Sequence, residues 1–385
     1  MTEGLLEAGH QVTIATDAAA LPHPELTELA EEGYDNLSIQ GMPTPPGLFA
    51  GKRRAMGAVL HELTCRQLLS DWYAALAYYT AFDVVFLPYL DLCTYGLALL
   101  GSPFKGTPWA AVAMRPTFHF RATGVEAPIR RGDRVRAFLF RRLLMDPRLL
   151  GVLATDPTLG DYISGVDLAP VAPLYEPVPR ILSEPGPARE RLGLPPVDCK
   201  LILLYGAVTE RKGIRQLLEA MATKPLLRDV SIVVAGVVAD AITSLFKEDW
   251  VRQMVAGGRL VVRNRYHNAT EERDLIAAAD VIWLGYVGHY TSSGVLALAG
   301  SGRKPVIACR AGLIGKRTAT AQMGITINPN NPTEVRAALL ALLSNDELAS
   351  TLGSNGYSYF APFTYARAKQ SVVTLVERGR PKGGS

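Results

Sequence analysis

LILLYGAVTERKGI, residues 201–214, is the stretch whose reading decides the fold. The apolar run Leu201–Leu204 is too short for a helix and is stopped by Gly206, so it predicts a buried strand. Beyond the polar residues, Lys212 and Gly213 lead into Ile214, Leu217, Leu218 and Met221, whose spacing predicts a helix. A strand that turns through small residues into a helix start presents free backbone N–H groups and the positive end of the helix dipole. Arg211 and Lys212 add two formal positive charges at that turn. An anion such as a phosphate fits the junction. An ordinary strand-to-helix turn with solvated basic residues fits the same letters.

Downstream, the pattern repeats. Short, apolar, β-branched runs at Val230–Ala235, Leu260–Val262, Val281–Leu284 and Pro305–Ala308 alternate with helical stretches. Such strands belong to a parallel sheet covered on both faces. Asn268 and Glu271 have capping-box spacing ahead of a helix to Ala278. Glu334–Leu343, the stretch from Glu347 and Phe360–Arg378 predict closing helices, the last followed by a basic tail.

Upstream, Ala169–Pro196 is dense in prolines and reads as the interdomain linker, with the boundary between Pro173 and Pro185. The assignment is 1–178 for a first domain, 179–360 for a second and 361–385 for a final helix and tail. The first domain also alternates: a strand at Gln11–Thr16, mostly loop from Pro22 to Gly51, a helix at Ala55–Tyr79, a strand at Asp83–Leu87, a helix at Thr94–Leu100 and a strand at Trp109–Met114. A further strand is read at Gly151–Ala154, followed by a helix start at Thr155–Pro157. MTEGLLEAGHQVTIAT begins inside a helix, so the central strand and glycine-rich loop that precede such a helix in a doubly wound sheet are expected to be missing. The expectation is a misassigned or truncated start.

Ile129–Leu150, IRRGDRVRAFLFRRLLMDPRLL, carries seven arginines among Phe and Leu. It reads either as a basic amphipathic helix on an anionic membrane or as a packed helix with solvated arginines; the apolar residues surround the axis rather than forming one stripe.

Composition narrows the class. The chain has 385 residues, 48% hydrophobic and 20% charged, as expected for two globular domains with full cores. A net charge of +4 does not imply nucleic acid. The four cysteines are far apart and form no C-x-x-C pair, which fits a reducing cytoplasm rather than a zinc site or disulfide framework. No apolar run is long enough to span a bilayer. The expected location is the cytoplasm, with peripheral contact at the inner membrane as the role open to 129–150.

Two Rossmann-like halves and a Pro-rich linker suggest a GT-B architecture, an α/β fold with two doubly wound domains facing a cleft. LLYGAVTERKGIRQLLEA, VVAG, ATEERDLIAAADVIWLGY, SSGVLALAGSGRKPVIA and MGITINPNNPTEVRAALLALL occur in the order of the group 1 (family 4) glycosyltransferases. LLEAGHQVTIAT resembles the first helix and second strand of the same enzymes. The resemblance covers most of the chain. It implies a nucleoside-diphosphate sugar donor on the C-terminal domain and a sugar, lipid-linked or small-molecule acceptor on the N-terminal one. It also implies transfer with retention and without a metal or other cofactor. The sequence contains no D-x-D pair to hold a divalent ion. Positive groups aimed at the departing diphosphate are the largest catalytic lever in such chemistry.

Carried over by position, Gly206 and Lys212 match the donor-phosphate loop, with Thr209 and Arg211 beside them. Ala207 stands where the family has an Arg. Arg211 either substitutes for it or is a surface arginine. Thr291, Ser292, Ser293 and Gly294 form a second helix start with hydroxyl donors, which serves either binding or capping. The family's two glutamates fall at Thr291 and Ala299, so both carboxylates are absent. Tyr266 and Asn268 sit where the base is held; the Tyr266 ring either stacks or packs. His119 and Arg115 follow the strand at Trp109, where the family places a cleft-facing histidine, and are the candidate catalytic pair. A lone loop histidine is equally a structural one. The readings are therefore an active glycosyltransferase and, as the alternative, a degenerate member that binds nucleotide or sugar or supports a partner enzyme. A nicotinamide oxidoreductase ranks far behind, because no G-x-G-x-x-G joins a strand to a helix.

Overall fold

The computed structural model describes residues 1–45, 48, 57–163, 165, 168–222 and 229–379. The chain forms two compact units, residues 1–119, 129–176 and 365–385 in the first, 120–128 and 177–364 in the second. The last helix, Tyr365–Glu377, thus belongs to the first unit rather than standing apart, and the short stretch 120–128 belongs to the second.

In the first unit the strands are β1 (Val12–Asp17), β2 (Leu37–Met42), β3 (Val85–Leu87), β4 (Trp109–Ala113), β5 (Leu149–Ala154) and β6 (Val171–Pro173). All pairs are parallel, but they form two ladders, β1–β2 and β3–β4–β5–β6. The doubly wound order leaves one strand position between β1 and β3. No described residue fills it. Thr13 and Ala15 of β1 and Val85 and Leu87 of β3 instead line a shared apolar hollow of about 290 Å³, with Leu68 and Trp72 beside them. The six residues of β1 are accordingly only partly buried.

Strand β6 falls within the stretch read as linker, and two elements before residue 51 were not expected either. Pro22–Gly51 contains the helix Pro24–Glu31 and strand β2 rather than loop alone. Pro24 occupies the first turn, where a missing N–H is harmless, so it starts this helix instead of breaking it. The arginine-rich stretch forms a helix only over Asp133–Leu144; Leu149 and Leu150 already belong to β5.

The second unit holds β7 (Lys200–Tyr205), β8 (Val230–Ala235), β9 (Leu260–Arg263), β10 (Val281–Leu284), β11 (Val306–Cys309) and β12 (Gly324–Ile327). β12 is an additional strand, brief and opened by Gly324, whose missing side chain lets it lie on the Val306 carbonyl. The order is β12–β11–β10–β7–β8–β9, all parallel. Along β7, Leu201 and Leu203 enter one core and Ile202 and Leu204 the other. Each is fully buried and contributes about 1.5–3 kcal/mol. The sheet therefore needs helices on both faces.

Two consequences position a site. The sheet's order reverses between β7 and β10, and ligands of such sheets bind outside the strand C-termini at that reversal. The loops that leave those two ends are 206–213 and 285–293.

Candidate functional site

The first loop turns at once. Gly206 has φ +95°, and its N–H donates to the Ala235 carbonyl on β8 at 3.0 Å. A single 3₁₀ turn, Glu210–Lys212, follows before the helix Ile214–Ala222. Gly213 joins them at φ +65°, and a Cβ placed there would lie 2.0 Å from the Gly285 carbonyl oxygen. Only glycine lets the two loops approach this closely. They are then stitched together: Val287 N–H donates to the Arg211 carbonyl at 2.8 Å, and Trp283 Nε1–H to the Lys212 carbonyl at 2.9 Å.

This stitching turns Lys212 inward. Its side chain is buried, 5% exposed, and its ammonium donates to the Tyr205 carbonyl at 2.9 Å and the Tyr286 hydroxyl at 2.5 Å. Nζ lies 4.4 Å from the centre of the Tyr286 ring. The Tyr286 hydroxyl, which accepts from Lys212, also lies 3.3 Å from Ser293 Oγ, where either oxygen can donate. Lys212, Tyr286 and Ser293 thus form one chain that links the two loops. No ion pair reaches Lys212 among the described residues; the charged neighbour that acts on it is Arg211, of like sign. Burial first, and Arg211 second, lower its pKa to about 8. A buried ammonium beside a second cation, at the C-terminal ends of the two central strands, favours an anion.

The second loop supplies donors. Ser293 occupies the N-cap of the helix Gly294–Ser301, but its side chain makes no capping bond. Its hydroxyl turns to Tyr286 instead, so the capping reading of this serine does not hold. His289 Nε2 lies 3.1 Å from the Ser292 carbonyl and 3.4 Å from Thr291 Oγ1, which fixes the loop's tip. Gly206, Lys212, Ser293 and Gly294 are therefore brought together, with Thr291 and Ser292 just outside. Thr209 Oγ1, within the first loop, is buried without a hydrogen-bond partner among the described residues, while the Arg211 side chain is exposed.

Other expected residues have different duties. Asn268 Oδ1 accepts from Thr270 N–H and Glu271 N–H, both at 3.0 Å, and so caps the helix Ala269–Ala278. Its carbonyl oxygen is spent on that cap. The Tyr266 ring is exposed and free of the core, which rules out the packed reading. Ala299 is fully buried within its helix.

In the first unit, His119 is completely buried, with Nε2 2.7 Å from Asp156 Oδ2. Phe118 and Tyr162 lie against its ring. Asp156 also accepts from the Thr158 N–H and hydroxyl at 2.8 Å, so the pair anchors the start of the helix Thr158–Tyr162. In this conformation the imidazole presents nothing to a substrate, against the expectation of an accessible histidine. Arg115 is exposed past β4. Its N–H donates to Asp91 Oδ1 at 2.8 Å and its guanidinium lies 5.7 Å from the Tyr89 ring centre. It borders a polar hollow of about 210 Å³ with Glu62, Asp91, Arg130 and Arg136.

Tyr286 was missed from sequence. Its one signal is its place, two residues beyond the central strand Val281–Leu284, where the reversal of strand order puts side chains into the site.

The architecture thus defined is the GT-B fold. No family model matches the chain. Sucrose-phosphate synthase from Thermosynechococcus elongatus superposes with a TM-score of 0.69 at 18% identity, over 98% of this chain and 90% of that one. WaaG, a glycosyltransferase of lipopolysaccharide biosynthesis, gives 0.60 at 14% identity over 99% and 94%. HepE from Anabaena, solved with UDP and glucose, gives 0.56 at 15% identity over 95% and 98%. An uncharacterized glycosyltransferase of Methanocaldococcus jannaschii is 33% identical over 85 residues. That match spans 22% of this chain and 24% of the relative, about a quarter of its length. The resemblance to group 1 glycosyltransferases therefore holds at the level of the whole fold.

Proposed function

We propose that this protein is a glycosyltransferase that moves a sugar from a nucleoside-diphosphate sugar to an acceptor, itself a polysaccharide, glycolipid or glycoside. The reading rests on one observation: the buried Lys212 ammonium, without a carboxylate partner among the described residues, where the loops after β7 and β10 meet. HepE, with the same fold, was solved with UDP and glucose, which supports a nucleotide-sugar donor.

In this reading the diphosphate lies over Gly206, whose lack of a side chain admits it. Lys212 faces it with positive charge, and Arg211 adds a second cation from the exposed side. Ser293 Oγ and the first N–H groups of the helix Gly294–Ser301 donate to its oxygens. Tyr286 holds the lysine in place. These groups stabilise the negative charge that grows on the leaving oxygen as the sugar–oxygen bond breaks. They meet it without a divalent ion, so EDTA leaves the rate unchanged. Tyr266 offers an exposed ring for stacking the base. The acceptor falls to the first unit, where Arg115 borders the polar hollow, and transfer retains the anomeric configuration.

One observation favours the second reading, a protein that binds without turnover. Thr291 and Ala299 bear no carboxylate, and Ala299 is sealed within the core. A thermal-shift and hydrolysis screen of UDP-, GDP- and ADP-sugars separates the two. Stabilisation with release of free sugar supports the enzyme; stabilisation without release or transfer supports the binder; no stabilisation by any of them removes both.

A further inference from the structure

The helix Asp133–Leu144 buries Ala137, Phe140, Leu143 and Leu144 against its own unit. Among the described residues its other side is unpartnered, and it is not polar: Val135, Phe138 and, just past its end, Met145 are each about 60% exposed. At about 100° per residue, Phe138 and Met145 fall at the middle of this outer side. Arg134 and Arg141 flank them on one edge, Arg142 on the other, and all three are exposed.

The apolar surface continues onto a neighbour. Arg142 Nε donates to the Ala98 carbonyl at 2.8 Å, which fixes the helix Thr94–Leu100 alongside, and that helix exposes Leu99 and Leu100. Ile129, ahead of the arginine-rich helix, is 74% exposed. Residues 129–145 hold six arginines and a single acid, Asp133, which is engaged by Arg136 at 3.0 Å. Just outside the stretch, Asp146 is half-buried and accepts from Trp109 Nε1 at 3.0 Å, while Glu126 and Asp161 are exposed, the latter beside Tyr162, whose carbonyl accepts from Arg141. Solvent does not explain a phenylalanine and a methionine in the middle of such a face, and arginines alone do not require them.

We propose that this face docks on an anionic lipid bilayer. Phe138 and Met145 enter the headgroup–acyl boundary, Leu99 and Leu100 widen the contact, and Arg131, Arg134 and Arg141 pair with lipid phosphates around them. An apolar centre ringed by arginines suits an interfacial helix, whose binding combines buried apolar area with attraction to negative lipid. The earlier objection, that apolar residues surround this helix, is met by the structure: one set faces the core and the other faces out. The inference does not depend on the glycosyltransferase reading, because it is tested by binding alone.

The test is flotation of the full chain with phosphatidylcholine vesicles, with and without about 30% phosphatidylglycerol, at low and high salt. The expected result is partitioning about tenfold or more stronger onto the anionic vesicles, largely lost at about 0.5 M salt. Phe138→Ser with Met145→Ser lowers it about tenfold or more, as does Arg131→Glu with Arg134→Glu. All four side chains are solvent-exposed, so thermal unfolding stays at the wild-type temperature and reports that the variants fold. Equal binding to both vesicle types overturns the proposal. So does undiminished binding by the Phe138/Met145 variant, or a wild-type dimer that this variant abolishes, which would assign the face to a second copy.

Discussion

Replacing Lys212 with methionine separates a ligand-directed lysine from a structural one. Held near 8 rather than at the ordinary 10.5, the charged lysine destabilises the folded protein by about 3 kcal/mol at pH 7, at 1.36 kcal/mol per pH unit. Its hydrogen bonds to the Tyr205 carbonyl and Tyr286 hydroxyl offset part of this, about 1–3 kcal/mol together. Methionine removes both contributions while filling a similar volume, so stability at pH 7 changes by no more than about 1–2 kcal/mol. The sign with pH is fixed. A basic group whose folded pKa is lowered binds fewer protons in the folded state, so its destabilisation is complete below about 8 and disappears as pH rises to 10.5. Between pH 7 and 10.5 the wild type therefore gains about 3 kcal/mol relative to Lys212→Met. Lys304, also lowered to about 8 by burial, is present in both proteins and cancels. Denaturant unfolding of the two proteins at both pH values measures the difference. A stability gap that does not change with pH refutes the buried-cation argument. A loss well above 3 kcal/mol at pH 7 makes Lys212 a structural strut.

Three further outcomes follow from named contacts. Gly213→Ala sets a Cβ 2.0 Å from the Gly285 carbonyl at positive φ and lowers stability by about 2 kcal/mol or more, read from thermal unfolding. Tyr286→Phe takes one partner from Lys212 and one from Ser293; it costs about 1 kcal/mol of stability and weakens nucleotide binding in calorimetry. Asn268→Ala removes a helix cap and costs about 1 kcal/mol, yet leaves nucleotide affinity at the wild-type value, which a ligand-contacting asparagine would not.

Much of the fold was legible because the decisive strands are short, apolar and bounded. Leu201–Leu204 and Val281–Leu284 could be read as buried on both faces without any partner in view. The helix Pro24–Glu31 and strand β2 were hidden because proline and glycine weigh toward loop unless the proline's place in the first turn is known. The site was legible where chemistry and chain position coincide. Lys212 and Gly206 stand beside a strand end, and Ser293 beside a helix start. What sequence does not carry is the inward turn of Lys212. That turn depends on Gly213 meeting Gly285, and on a tyrosine 74 residues away in the chain. Sequence left both readings of His119 open for a related reason: its loop position says nothing of Asp156, which draws it into the core.

The most direct measurement is the affinity of UDP, GDP and ADP for wild type and Lys212→Met from pH 7 to 10. A diphosphate beside Lys212 requires its proton. Wild-type affinity for the preferred nucleotide should therefore hold to about pH 8 and then fall by up to about tenfold per unit. The variant should bind at least about tenfold more weakly at pH 7, with no such fall. Equal affinity in the two proteins, or the same pH profile in both, would contradict a diphosphate held at Lys212.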